Sequence, residues 1–432
     1  MRIFAKRALL PNGWASNVAI VVDASGLIAG ATPDDEPRAT DEVVETLLPG
    51  MANLHSHAFQ RAMAGRAERP SASGDDDFWT WRQAMYDLAA TLDPDALHAI
   101  AVEAYRGMLR AGYTSVTEFH YLHRDPAGAW YAEKGAMAKA LVEAARQVGL
   151  PICLLPVLYA HANARGEPLA DEQRRFETSV DDVLETAAEL RRSYAGDPAV
   201  AIGVAAHSLR AVSPDELRAL VEGSPRDVPV HLHIAEQERE VEEVCATLGA
   251  RPVEWLLDRF EVDGRWSLVH ATHAEPHELE EVASRGAVVA ICPTTEANLG
   301  DGIFALPALL RAGGRFGIGS DSNVSFSPAE ELRLLEYGQR LSLRRRVVAS
   351  AMGRSCGETL YGGAAAGGTC VSGFSTGMIV RGMRADFVTL KTIAAATRPE
   401  DALDRYIFVD GAPGPEGVMI GGRWRVRDKE FV

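Results

Sequence analysis

Twelve histidines occur in this chain, all between His55 and His277, and several stand at spacings that suit a single metal ion. His55-Ser-His57, His231-Leu-His233-Ile-Ala-Glu236, His270-Ala-Thr-His273 and Gly319-Ser-Asp321 each close a short apolar run. Alternate residues of a strand point the same way, so His55 and His57 can converge on one ion while the other donors arrive from strands distant in sequence. Four of these side chains suffice for one divalent metal. Histidine and carboxylate donors suit Zn2+, although iron or another divalent ion accepts the same set. Such an ion brings the pKa of a water towards about 7 and makes hydroxide available at neutral pH, the chemistry of a metal-dependent hydrolase. His231 shares the face of His233 one step deeper and reads as a supporting or core residue. His270 ends the run Trp266 to Val269 and is preferred to His273, which reads as structural.

These groups need a scaffold that brings strand ends together. Short apolar runs recur at Thr46 to Leu54, Thr114 to Tyr121, Ile152 to Ala160, Val200 to Ser208, Val228 to Glu236, Trp266 to His273, Gly286 to Pro293 and Phe316 to Ser322. Helix-period segments lie between them, at Pro94 to Ala111, Ala127 to Val148, Val180 to Tyr194, Pro214 to Glu222, Gln237 to Leu248 and Glu275 to Ser284. Asp93-Pro94, Ser213-Pro214 and Ser327-Pro328 each place a capping side chain before a proline at the first helical position. Eight strand-helix units predict an α/β fold of the (β/α)8 TIM-barrel type, whose chemistry sits at the carboxyl ends of the strands. An open doubly wound sheet is the alternative, but no GxGxxG turn follows the first strand. The flanks read as short strands broken by Gly, Asp and Pro, among them Ala19 to Val22, Met378 to Val380, Phe387 to Leu390 and Gly417 to Ile420. The expected division is a small β-sandwich from residues 1–48 and 376–432 around a barrel of residues 49–375.

Composition narrows the partners. The chain has 432 residues, 47% hydrophobic and 24% charged, long enough for a large catalytic domain and a smaller one. A net charge of -16 argues against nucleic acid, since phosphate binding needs a basic surface. The Arg344-Arg345-Arg346 run is too short to change that and reads as a solvated helix face. Five scattered cysteines without CxxC spacing, no signal-like start and no run of about 18 apolar residues lead to the expectation of a cytoplasmic enzyme with no membrane partner.

Pro49-Gly50-Met51-Ala52-Asn53-Leu54-His55-Ser56-His57, the HxxE of His233 to Glu236, the sixth-strand histidine and Gly-Ser-Asp321 resemble the amidohydrolase superfamily, in its mononuclear deaminase branch. Within it, His57-Ala-Phe-Gln60-Arg61-Ala-Met63, Glu118 to His123, His207-Ser-Leu-Arg210 and Asp321-Ser-Asn-Val324 resemble the formiminoglutamate deiminase family. The resemblance covers nearly the whole chain. It implies one Zn2+ held by His55, His57, His233 and Asp321, with Glu236 as proton shuttle, His270 orienting the nucleophile and Asp321 also taking up a proton. It further implies N-formimino-L-glutamate as substrate, hydrolysed to N-formyl-L-glutamate and ammonia in histidine degradation, with Gln60, Arg82, Tyr121, His207 and Arg210 as contacts. Arginine is the natural bidentate binder of carboxylate. Arg82 lies in the segment 61–93, a candidate lid. A homodimer is what the family implies. No lysine occurs between Lys139 and Lys391, and Val200 to Ser208 holds neither lysine nor glutamate, so a bridging residue for a second metal is missing. The alternatives are an aminohydrolase of a nucleobase such as guanine and, in another class, a non-catalytic metal-binding barrel scaffold. His120, His123 and His161 are expected to line the pocket or to be solvated.

Overall fold

The computed structural model describes all residues except 71–73, 75, 352, 392–400 and 410–413. In chain order the strands are β1 (Arg2–Leu10), β2 (Gly13–Val22), β3 (Ile28–Thr32), β4 (Glu42–Pro49), β5 (Met51–Ser56), β6 (Tyr113–His120), β7 (Ile152–Leu158), β8 (Val200–Ile202) and β9 (Val204–Ser208). They continue as β10 (Val230–Ile234), β11 (Trp266–His270), β12 (Val288–Ile291), β13 (Arg315–Ile318), β14 (Phe387–Leu390), β15 (Gly417–Ile420), β16 (Arg423–Arg427) and β17 (Glu430–Phe431). Strands β5 to β13 pair in parallel and close through β5–β6 and β6–β7 into a barrel, in which β8 and β9 are two halves of one strand. They are interrupted at Gly203, where a Cβ would press on the Pro229 carbonyl at 2.7 Å. Strands buried on both faces read as continuous apolar runs, and β5, β6, β7, β10, β11 and β12 are buried along their whole length.

Helices cover the barrel. The predicted caps are made: Asp93 accepts from Ala96 N, Ser213 from Glu216 N and Ser327 from Glu330 N, opening Pro94–Ala111, Pro214–Gly223 and Pro328–Leu343. The termini build a second sheet in the order β17-β16-β15-β14-β4-β1-β2-β3, with its own core of Ile3, Val18, Ile20, Leu47, Phe387 and Met419 among others. The fold is thus a (β/α)8 barrel with a β-sandwich built from both termini.

Several boundaries differ from the sequence reading. Thr46 to Leu54 is not one strand: β4 belongs to the terminal sheet and β5 to the barrel, and Gly50 between them donates to the Asp386 carbonyl. The helix expected from Ala127 starts only at Ala136, because Asp125 folds the preceding segment into a turn by accepting from Ala127 N and Ala129 N. Met378 to Val380 forms no strand. The helices Phe78–Ala89, Cys356–Val371 and Asp401–Phe408 lie where no helix was expected. Arg344 to Arg346 lie beyond the end of Pro328–Leu343 rather than on its face, next to the negative pole of the helix dipole.

Candidate active site

His55 and His57 leave β5 toward the barrel axis, His233 comes from β10, and Asp321 lies three residues past β13. Mutual backbone bonds clamp the first and last of these: His57 N donates to Asp321 O and Asp321 N to His55 O, both at 2.9 Å. The Nε2 atom of His55 lies 3.1 Å from His57 Nε2 and 2.9 Å from His233 Nε2. Asp321 Oδ1 is 3.6 and 3.4 Å from the Nε2 atoms of His55 and His57. Each of two rings is oriented from behind, His57 Nδ1 donating to Phe119 O at 2.9 Å and His233 Nδ1 to His207 O at 3.0 Å. That tautomer leaves Nε2 as a bare lone pair. Burial holds all three imidazoles neutral, with the pKa of His57 lowered to about 3. Converging lone pairs beside a carboxylate oxygen repel one another unless a cation lies between them, so the donor set fits a divalent metal. The residues at this rim are conformationally forced: Ala235, His270 and Asp321 all have positive φ, at 50, 68 and 46°. Left-handed backbone at non-glycine residues is found mainly where a site over-determines it.

Glu236 and His270 stand beside this cluster. His270 Nε2 lies 3.7 Å from both Glu236 Oε1 and Asp321 Oδ2, and its Nδ1 is 3.2 Å from Glu296 Oε1. Burial disfavours the imidazolium, but Glu236, the hydrogen bond to Glu296 and Asp321 outweigh it and raise the His270 pKa to about 10. The same burial raises Asp321 to about 7 and lifts Glu236 as well. His273 is not part of this group; its Nε2 reaches Asp301 O at 2.9 Å. Three carboxylates went unread in the sequence. Glu296 orients His270, Asp301 lies within 4.8 Å of Glu236 and His270, and Glu240 accepts from Ala235 N and Glu236 N. Glu240 and Glu296, each in the first turn of a helix that follows a strand end, carry a sequence signal, and Asp301 does not.

Above the cluster lies a partly enclosed cavity of about 50 Å³, lined by Gln60, Arg82, Tyr121, His207 and Arg210, all five expected contacts, together with Glu236, His270 and Asp321. Gln60 donates to Tyr121 Oη at 2.8 Å. Arg210 is buried, with Nη2 at 4.0 Å from Glu236 and Nε at 4.0 Å from Glu240. Trp81, Arg82, Met85 and Tyr86 of the helix Phe78–Ala89 form the roof. Arg61 is engaged elsewhere, donating to Asn323 O at 3.0 Å. His120 and His123 are neither in the cavity nor solvated; both are buried, and His123 Nε2 meets Val157 O at 3.1 Å. His161 pairs with Glu216 at 2.9 Å. His231 is buried, its Nε2 bonded to Val371 O at 2.9 Å, as a supporting position requires.

A parallel barrel carrying these donors at the carboxyl ends of its strands defines a metal-dependent hydrolase, and the chain belongs to the amidohydrolase family, which residues 46–425 match. Residues 1–45 match the N-terminal domain of formimidoylglutamate deiminase HutF. The chain is 46% identical to the formimidoylglutamate deiminase of Pseudomonas aeruginosa, over 99% of this chain and 94% of that protein. A crystal structure of an amidohydrolase from Brucella melitensis is 43% identical and superposes with a TM-score of 0.95, covering 100% of this chain and 95% of that one. A zinc-bound adenosine deaminase from Xanthomonas campestris, 24% identical with a TM-score of 0.80 over 100% and 94% of the two chains, shares the fold. Among the described residues no helix is long and apolar enough to cross a membrane.

Proposed function

We propose that this protein hydrolyses N-formimino-L-glutamate to N-formyl-L-glutamate and ammonia, the deimination step of histidine degradation. The observation that carries the reading is the mixed charge of the cavity lining, in which the carboxylates Glu236 and Asp321 stand with the guanidinium groups of Arg82 and Arg210. A formimino group is an amidine, cationic at neutral pH, and the rest of the substrate is a dicarboxylate, so a lining of both signs matches the molecule. The identity to the Pseudomonas deiminase over nearly the full chain supports the same substrate.

His55, His57, His233 and Asp321 are the residues that would hold the metal, and three imidazoles with one carboxylate favour Zn2+. Such an ion supplies a nucleophile by lowering the pKa of water towards about 7. Glu236, beyond the end of β10, takes the proton of the attacking water on a carboxylate oxygen and delivers it to the imine nitrogen, which leaves as ammonia when the C–N bond breaks. His270, fixed at Nδ1 by Glu296, presents Nε2 to Glu236 and Asp321 and orients the water between them. The buried Arg210 and the half-buried Arg82 hold the carboxylates, with Gln60, Tyr121 and His207 completing the wall. The roof helix excludes bulk water once the substrate is in place. We also assign residues 1–48 and 376–432 to one domain and 49–375 to the catalytic one, supported by the two separate sheets, and place the enzyme in the cytoplasm, supported by its free cysteines.

The test is ammonia release from N-formimino-L-glutamate by zinc-loaded protein beside guanine, cytosine and adenine. Selective turnover of the formimino acid is expected. Turnover of a nucleobase instead would keep the metal chemistry and overturn the substrate. Purified protein that takes up no metal would point to a non-catalytic scaffold.

A further inference from the structure

Outside the cavity, three arginines converge on one indole. The ring centroid of Trp79 lies 4.4 Å from the Arg82 guanidinium carbon, 5.6 Å from that of Arg210 and 4.3 Å from that of Arg239. Arg82 and Arg210 line the substrate cavity, whereas Arg239 and Trp79 do not. Trp79 is half-buried in the first turn of the roof helix, and Arg239 is exposed on the barrel side. The indole is thus a bridge between a guanidinium in solvent and two that face the substrate.

Arg239 has no local reason to be a cation. It is the second residue of the helix Glu238–Leu248, where the dipole disfavours positive charge. The neighbouring carboxylate Glu240 is turned inward onto the Ala235 and Glu236 amides. Among the described residues neither Arg239 nor Arg82 makes a hydrogen bond or an ion pair, although the chain has 60 acidic residues against 44 basic ones. Arg210 has Glu236 and Glu240 at 4.0 Å, but Arg82 and Arg239 have no such partner; like charges gathered on one ring repel, and the face of an indole offsets only part of that. What relieves the cluster is an anion, and an exposed cation beside the cavity attracts a carboxylate through its charge.

We propose that Trp79 and Arg239 form an outer carboxylate subsite, which captures the dicarboxylate at the mouth before it passes to Arg82 and Arg210. The inference rests on the deiminase reading above and adds an entry station to it. The exposed charge acts on encounter, and the buried Arg210 acts in the closed complex. In a chain of net charge -16 an approaching net anion is repelled nearly everywhere, so a local positive mouth governs the on-rate.

The experiment is steady-state kinetics of Arg239→Gln and Arg239→Lys zinc enzyme on N-formimino-L-glutamate across ionic strengths. Arg239→Gln is expected to lower kcat/KM about three- to tenfold at low salt, with kcat within about twofold, and to flatten the salt dependence. Arg239→Lys should keep most of kcat/KM, since it keeps the charge. Unchanged kcat/KM and salt slope in Arg239→Gln overturn the subsite. So does an Arg239→Lys enzyme as impaired as Arg239→Gln, which would make the stacking geometry, not the charge, the property that matters. Wild-type protein that releases no ammonia from this substrate overturns the deiminase reading itself, an outcome distinct from both.

Discussion

Glu236 is held at its task by its neighbours rather than by its own strand. Glu240 fixes its amide, Arg210 approaches its carboxylate at 4.0 Å, and His270 faces it at 3.7 Å. A residue that shuttles a proton must change its protonation state without moving, and this surrounding supplies the rigidity. Glu236→Gln keeps the shape and removes the base; it is expected to bind metal as wild type while kcat falls by about two to four orders of magnitude, the usual share of general acid-base catalysis. Metal analysis beside kcat measures both, and retained turnover would remove Glu236 from the mechanism. Arg210 is buried with two carboxylates at the limit of ion-pair distance, so its charge is unspent until a substrate arrives. Arg210→Met is expected to lower kcat/KM by about 2 to 4 kcal/mol, as for a desolvated charge contact. An unchanged value would mean that the anion is held elsewhere. The convergence of His55, His57, His233 and Asp321 was legible because strand alternation and strand ends constrain where such side chains go. Asp301 was not, and Glu296 showed only as a carboxylate in a first helical turn, because they reach Glu236 and His270 from segments beyond a neighbouring strand, and no periodicity in sequence records such a contact.

The helix Cys356–Val371 shows why other elements escaped the sequence reading. It carries Gly357, Gly362, Gly363, Gly367 and Gly368, residues that weaken a helix in isolation, and its apolar residues do not mark one face. Tertiary contact explains the glycines: the helix lies so close to β13 and β5 that a Cβ on Gly367 would overlap the Phe316 carbonyl, and one on Gly368 would meet Ala52 at 3.0 Å. Gly362 has nothing within 4 Å of its Cβ position. The two positions therefore respond oppositely. Gly367→Ala is expected to destabilise by at least about 1–3 kcal/mol through overpacking against backbone, whereas Gly362→Ala should stabilise by about 0.5–1 kcal/mol through helix propensity alone. Denaturant midpoints of the two variants test this, and equal shifts would mean that propensity rather than close approach sets the composition. The capped helices Pro94–Ala111, Pro214–Gly223 and Pro328–Leu343 were legible for the converse reason, since their signals are local. The roof helix Phe78–Ala89 does have a local signal, a capping box of Asp77 and Thr80, but the aromatic cluster after it masks the helical period.

At the scale of the whole molecule the metal site is also the closure of the barrel. His55 and His57 come from its first strand, His233 from β10 and Asp321 from beyond β13, which pairs with the first strand, so one ion ties together distant segments, His55 and His233 alone being 178 residues apart. An ion that binds only the folded chain stabilises it by mass action, roughly 2.7 kcal/mol when free metal is 100 times its dissociation constant. The size of this effect depends on pH through Asp321. Burial raises that carboxyl in the metal-free protein from its ordinary value to about 7, whereas burial keeps His57 neutral down to about 3 and His55 and His233 neutral well below 6.5. For a carboxyl raised on folding, the stability it contributes is complete below its unfolded pKa and is lost as pH rises through about 7. Metal binding reverses the account, because it needs the carboxylate. Below about 7 the metal must displace one proton from Asp321, and above it none, while the three histidines have no proton to release in this range. The gap in Tm between zinc-loaded and chelated protein should therefore widen from pH 5.5 to about 7 as metal affinity gains about one decade per pH unit, and the Asp321 contribution should level off above that. A gap independent of pH would mean that Asp321 is already ionised without metal. A rise steeper than one decade per unit near pH 6 would mean that the histidines carry protons in the empty cluster, contrary to the neutral state that their burial imposes.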